Sequence, residues 1–182
     1  METKTNLSEL LWQEKKQSEL AELISCNDDT SRFGLTLSPV EAEELALCRN
    51  ESLRRWGRVE FGRGILEPLI RTFCDSDYLD QDNYVEMLEQ LQDIFYEFKN
   101  ETGDRMTDQE LLNFMREQLD EVCFGDTGYL EDTCLSRLAG KVREGYDGFK
   151  ATGGTGIYGT ISEETRWDKD LYMEVLKDLC WR

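Results

Sequence analysis

Carboxylates between residues 75 and 86 have the spacing of a candidate cation site. Counted from Asp75, acidic side chains stand at loop positions 1, 3 and 12 (Asp75, Asp77 and Glu86), as they do in a calcium-binding EF-hand. The sharp turn of such a loop needs glycine at position 6, but Asp80 stands there. Acidic residues before a helix also cap its free N–H groups and favour its positive N-terminal dipole. We therefore keep a cation site as one hypothesis and helix capping as the favoured alternative.

A dense cluster of arginine and glycine lies at residues 54–64 of this otherwise acidic chain. It holds four arginines and three glycines in eleven residues. Arginine binds carboxylates or phosphates through two parallel hydrogen bonds, and glycine allows another molecule to approach the backbone closely. Arg58, Glu60 and Arg63 are therefore candidates for an interaction surface. The favoured alternative is that these arginines pair internally with the acidic middle of the chain.

The segment Gly154–Gly159 fits the G-x-G-x-x-G pattern of dinucleotide-binding loops. That motif works only between a strand and the helix it opens, within a βαβ unit. No strand pattern precedes it here, and only 23 residues follow it. Seven of the 14 glycines lie between Gly140 and Gly159, which is typical of a flexible connector. We interpret the segment as a linker.

Several common chemistries are excluded by residue type. The chain has no histidine, which removes the usual general base, the Ser-His-Asp and Cys-His nucleophile systems, and zinc sites with mixed ligands. Its six cysteines form no Cys-x-x-Cys pair, and a Walker phosphate-binding loop is missing. We therefore predict no catalytic residue, no metal centre and no cofactor. Isolated cysteines on apolar helix faces favour reduced, buried thiols over disulfides.

The acidic charge is concentrated in the middle of the chain. Of the net charge of −18, residues 76–132 carry −14, residues 1–75 carry −4, and the remainder is neutral. Such a field repels phosphates, so we expect neither direct nucleic-acid binding nor binding to anionic membranes. No segment approaches the roughly 18–20 apolar residues of a membrane span, and the N-terminus lacks the apolar stretch of a signal peptide. We expect a cytoplasmic protein.

Capping signals and hydrophobic periodicity predict an all-α fold, an irregular bundle of about six or seven helices. Ser38-Pro39-Val40-Glu41 is typical of a capping box with proline in the first helical position, and Thr107 with Glu110 predicts a second box. Two extended segments, 33–37 and 58–61, allow one short β-hairpin. We expect a helical domain over residues 1–147, then a glycine-rich connector and a C-terminal helix over residues 148–182.

The most regular helix is predicted from Asp82, as its cap, to about Asn100. Its apolar residues recur at three-four spacing and form one stripe. Four acidic residues lie largely off that stripe and join the candidate interaction surface: Glu86, Glu89, Asp93 and Glu97. The alternative is a solvated helix face that keeps the protein soluble.

Three segments, Phe33–Ser38, Gly57–Gly62 and Ile94–Glu101, together resemble a family of uncharacterised bacterial proteins. The resemblance covers about residues 20–145. It implies a helical domain of unknown function and brings no reaction, cofactor or catalytic residue.

These observations favour a non-enzymatic, acidic helical module that binds a protein partner with a basic surface. One alternative is a metal-dependent or carboxylate-based enzyme, in which crowding raises a carboxyl pKa and Arg58 or Arg63 holds an anionic substrate. A third hypothesis is a nucleic-acid mimic that blocks a DNA-binding protein, which needs carboxylates at phosphate-like spacing along an exposed surface.

Overall fold

The structure is a computed structural model that describes residues 7–60 and 64–143, with side chains from residue 13 onward. Its regular secondary structure is entirely helical, and no strand occurs in this part of the chain, which confirms the predicted all-α class. The helices are α1 (Leu7–Ser25), α2 (Asn27–Thr30), α3 (Pro39–Arg55), α4 (Leu66–Phe73), α5 (Tyr84–Glu101), α6 (Asp108–Glu121), α7 (Thr127–Tyr129) and α8 (Ser136–Arg143). A π-helical segment, Leu130–Leu135, joins α7 to α8.

The β-hairpin that the two extended segments allowed is not formed by the described residues. Ser31–Phe33 is a 3₁₀ turn that ends at Gly34, whose φ of 79° is left-handed, and residues 58–60 are irregular. The backbone of Leu37 is paired by a side chain instead of a second strand. Asn27 donates from Nδ2 to the carbonyl of Leu37 and accepts the N–H of Leu37 at Oδ1, each at 2.8 Å. One amide side chain thus satisfies the two groups that a neighbouring strand would pair.

Both predicted capping boxes are present. Ser38 Oγ accepts the N–H of Glu41, and the Glu41 carboxylate accepts the N–H of Ser38 at 2.7 Å. Thr107 and Glu110 repeat this arrangement at the start of α6. Each box satisfies two of the backbone groups that a helix start leaves without a partner.

Gly57 follows the C-cap of α3, Trp56, and terminates the helix. Its φ is +63°, and its N–H donates to the carbonyl of Arg54 while the N–H of Arg58 donates to the carbonyl of Leu53. This pair of hydrogen bonds is the Schellman motif, which requires a left-handed residue at the position of Gly57.

The chain divides into two compact units, residues 1–96 and residues 97–182. The core of the first unit is formed by apolar side chains of its helices and loops, and its fully buried members include Leu45, Leu66, Leu69, Ile70, Phe73, Leu88 and Leu91. The second unit buries another set, which includes Leu111, Leu112, Met115, Leu119, Leu130, Leu135 and Leu138. None of the helices formed by residues 7–60 and 64–143 has the length and apolar content to span a membrane.

Two predicted features lie outside the described residues. These are the G-x-G-x-x-G segment at residues 154–159 and the C-terminal helix that should follow it. The domain boundary predicted at residue 147 therefore stays a prediction.

Candidate interaction surface

The acidic residues of α5 lie beside the C-terminal half of α3. Between the two helices is a shallow cleft of about 210 Å³, lined by Cys48, Glu51, Ser52, Arg55, Glu89, Gln90 and Asp93. Two of the four predicted α5 acids, Glu89 and Asp93, thus line one concave surface in the first unit. Glu86 is exposed one turn earlier on α5, and Glu97 is half-buried on α5 within the second unit.

Asp93 is held by two residues of α3 and by Trp56, which follows the helix. Its carboxylate accepts a hydrogen bond from Ser52 Oγ at 2.7 Å and pairs with Arg55 Nη1 at 2.5 Å. The indole N–H of Trp56 lies 3.4 Å from the same carboxylate. The arginine cluster therefore reaches the acidic helix at Arg55, as the internal-pairing alternative predicted, and this pairing neutralises Asp93.

Glu89 is crowded by other carboxylates. Partial burial raises the pKa of Glu89, and the negative charges of Glu44 on α3 and Glu86 on α5 raise this pKa further. Within residues 13–60 and 64–143, none of these three glutamates forms an ion pair. Like charges from two helices thus converge at one end of the cleft, which makes the local potential negative.

The thiol of Cys48, inside the cleft, is affected by the same field. Burial raises the pKa of Cys48 most, and the carboxylates of Glu89, Asp93 and Glu51 raise this pKa further. The lining of the cleft is therefore anionic even with Arg55 among its residues.

An exposed leucine accompanies these charges. Glu44, Leu47 and Glu51 are spaced three and four residues apart on α3, so they share one face of that helix. Leu47 is 54% exposed, although it is a large apolar side chain. We call Glu44, Leu47, Glu51, Glu86 and Glu89 together the acidic face.

The predicted candidates Arg58, Glu60 and Arg63 do not form one exposed patch in the structure. Arg63 lies outside the described residues, and Arg58 is half-buried. Glu60 turns inward, where its Oε1 accepts a hydrogen bond from the hydroxyl group of Tyr96 at 2.5 Å. Its Oε2 lies 3.8 Å from Nε of Arg49. Glu60 therefore belongs to an internal network rather than to a surface.

Arg49 is the centre of that network, and sequence reasoning missed it. This arginine is only 8% exposed and pairs with Glu19 on α1 as well as with Glu60. The buried residues of α3 are Ala42, Leu45, Ala46, Arg49 and Ser52, so Arg49 lies on the inward face of this helix. One signal in the sequence could have indicated that Arg49 is buried. Ala42, Leu45 and Ala46 recur at three-four spacing, and the next position on the same helix face is 49.

The candidate cation loop does not gather its ligands. Asp75 and Asp77 are exposed, and Glu86 is on α5. No group of three or more acidic or cysteine side chains suited to a metal ion occurs in the described part of the chain. Asp80, at the position where a calcium loop needs glycine, instead accepts the N–H groups of Asp82 and Asn83 at 2.9 and 3.0 Å. The side chain that accepts backbone N–H groups just before α5 is thus that of Asp80, not that of the predicted cap Asp82.

A family model, described as a family of unknown function (DUF6323), matches residues 22–148. The chain belongs to the DUF6323 family. The match agrees with the span of about residues 20–145 over which the sequence resembles a helical domain of unknown function. Both helices of the acidic face and the internal network around Arg49 fall almost wholly within the DUF6323 region. No curated protein and no solved structure matches the chain.

Proposed function

We propose that this protein is a non-enzymatic interaction module whose acidic face binds a basic segment of a partner protein. The observation that carries the proposal is the convergence of the carboxylates of Glu44, Glu86 and Glu89 from two helices. Partial burial raises the pKa of Glu89 most, and the two neighbouring charges raise this pKa further. A lysine or arginine from a partner would reduce the repulsion among these three carboxylates. Its binding is therefore more favourable here than at an isolated carboxylate.

The shape of the acidic face supports a peptide-like partner. Leu47 offers an apolar contact with glutamates one turn away on either side, and the shallow cleft beside it accommodates a side chain rather than a whole domain. Apolar contacts surrounded by a charged rim are the usual composition of protein–protein interfaces. The charged rim steers the partner into place, and the leucine supplies contact that salt does not screen.

The test is the binding of a synthetic decalysine peptide to the full chain, followed by calorimetry at low and high salt. We expect binding that weakens at least tenfold between 50 and 500 mM salt, because exposed ion pairs are screened. The triple variant Glu44→Gln, Glu86→Gln and Glu89→Gln should lose this binding. A matched variant with the same charge change elsewhere, Glu121→Gln, Glu131→Gln and Asp132→Asn, should keep it.

Equal loss of binding in both triple variants would mean that decalysine senses only the net charge, and the proposal of a specific face would fail. A second measurement separates the apolar contact from the charges. Leu47→Ser should weaken binding of a peptide that alternates lysine with leucine, and it should leave decalysine binding nearly unchanged.

A further inference from the structure

Two cysteine side chains of the second unit lie against each other. Sγ of Cys123 is 3.7 Å from Sγ of Cys134, and the two residues are 6% and 5% exposed. Cys123 follows the end of α6, and Cys134 lies in the π-helical segment before α8. The chain thus brings together two thiols that are separated by ten intervening residues.

This separation is close to the geometry of a disulfide. Bonded sulfur atoms lie about 2.05 Å apart, so the two sulfurs would have to approach by roughly 1.7 Å. Rotation of cysteine side chains between staggered positions moves a sulfur by more than this distance. A change of side-chain rotamer is therefore large enough to cover the remaining distance between the two sulfurs.

The backbone on both sides of the pair is irregular. Phe124, directly after Cys123, has a φ of 51° and exposes 68% of its surface, and Gly125 follows with a φ of 84°. Cys134 lies in a π-helix, a rare conformation that is frequently found at functional sites. Cys123 is thus followed by an exposed turn, and Cys134 lies in a wide helical turn. Neither backbone segment is held as tightly as a regular α-helix, so both cysteines can adjust their positions.

Other buried thiols of the chain differ from this pair. The thiol of Cys26 points at the carbonyl of Glu22, 3.7 Å away, and that of Cys74 points at the carbonyl of Arg71 at 3.4 Å. Both are as buried as Cys123, and each directly follows the helix whose carbonyl it faces. They provide an internal control for any reaction of buried thiols.

We propose that Cys123 and Cys134 are a reversible dithiol–disulfide site that reacts with low-molecular-weight disulfides such as glutathione disulfide. In the first step a thiolate of the pair attacks the oxidant, forms a mixed disulfide and releases one glutathione thiolate. In the second step the other cysteine, having lost its proton, attacks the protein sulfur of that mixed disulfide. The intramolecular bond forms, the second glutathione leaves, and two electrons and two protons have passed to the oxidant.

The test uses the full reduced chain, without denaturant, incubated with excess glutathione disulfide, quenched with acid, alkylated and digested for mass spectrometry. We expect a Cys123–Cys134 cross-link that has lost two hydrogens and that dithiothreitol reverses. The unfolding midpoint of the oxidised protein should rise by about 5 °C, because the bond restrains the unfolded chain. Half-exposed Cys48, which should carry glutathione, reports that the oxidant was active.

Variants separate this site from general thiol oxidation. Cys123→Ala should abolish the cross-link, and Cys74→Ala should leave it at the wild-type yield. If Cys123→Ala does not fold, the wild-type peptide map still identifies which sulfurs are joined. The proposal is overturned if Cys123 and Cys134 are both recovered as alkylated thiols while Cys48 is modified, or if Cys26 and Cys74 cross-link instead.

Discussion

The guanidinium of Arg55 pairs with the carboxylate of Asp93 at 2.5 Å and so connects the arginine-rich end of α3 to the acidic helix α5. This contact leaves the acidic face unbalanced. It neutralises Asp93 at one end of the cleft, while Glu44, Glu86 and Glu89, toward the other end, form no ion pair within the described residues. The two ends of this helix pair therefore have different roles. At Asp93 the contact joins α5 to α3, and at Glu89 the crowded carboxylates create a negative potential.

The first prediction concerns the attachment at Asp93. Arg55→Ala should reduce the free energy of unfolding by less than about 1 kcal/mol, because the guanidinium is largely exposed and exposed pairs contribute little. Asp93→Ala should cost more, about 2 kcal/mol, since the hydrogen bond from Ser52 is lost as well. Urea unfolding of both variants and the double variant gives the coupling energy. A double variant whose loss is the sum of the single losses would show that the pair contributes nothing to stability.

A second prediction concerns two left-handed glycines. Gly57 and Gly64 have φ values of +63° and +66°, so alanine at either should cost about 1 kcal/mol from backbone strain. At Gly57 the added methyl group meets nothing, whereas at Gly64 it overlaps the carboxylate of Glu60. Gly64→Ala should therefore displace Glu60 from Tyr96 and Arg49 and cost at least about 2 kcal/mol in total.

Thermal or urea unfolding of Gly57→Ala and Gly64→Ala measures this difference directly. In a Glu60→Ala background the two glycine substitutions should become nearly equal in cost, because the overlapping carboxylate is gone. Equal costs in the wild-type background would contradict the role assigned to Gly64.

The capping boxes give a third prediction. Ser38→Ala and Thr107→Ala should each lower the free energy of unfolding by about 1 kcal/mol at pH 7. Hydrogen bonds from Ser38 lower the pKa of Glu41 below its ordinary value of 4.5. Because the pKa of Glu41 is lower in the folded state than in the unfolded state, its ionised carboxylate stabilises the fold at any pH above the unfolded-state pKa. This stabilisation is lost as the pH falls through the folded-state pKa. The effect of Ser38→Ala should therefore shrink below pH 4, and an effect that is constant down to pH 2 would contradict the carboxylate's part in the box.

Glu89 gives the opposite pH dependence. Burial and the charges of Glu44 and Glu86 raise its pKa, so the folded state binds this proton more tightly than the unfolded state does. Stability from this group rises as pH falls from the raised value toward 4.5, and at pH 7 the ionised carboxylate destabilises the fold. Glu89→Gln should raise the unfolding midpoint at pH 7 and have little effect at pH 4. The exposed Glu14→Gln is the control, and equal shifts in both variants would contradict the crowding at Glu89.

Local signals in the sequence were enough to predict the all-α class, the helix α5 and the starts of α3 and α6. The three-four stripe of α5 and the boxes at Ser38 and Thr107 depend on residues within one or two turns of each other, and the structure confirms them. Composition likewise showed that the excess acidity lies in the middle of the chain. Family membership also followed from short segments of sequence, since the DUF6323 match covers nearly the span expected.

Only the tertiary structure could show which of these charges meet. Arg49 is buried because α1 and the residues after α3 bring Glu19 and Glu60 to it, and Glu89 is crowded because Glu44 approaches from α3. These contacts join residues 11, 30 and 45 positions apart, and helical periodicity does not specify the rotation with which two helices pack. The sequence by itself therefore determined the elements and the sign of the charge, while helix packing decided that Glu60 turns inward and that the acidic face remains outside.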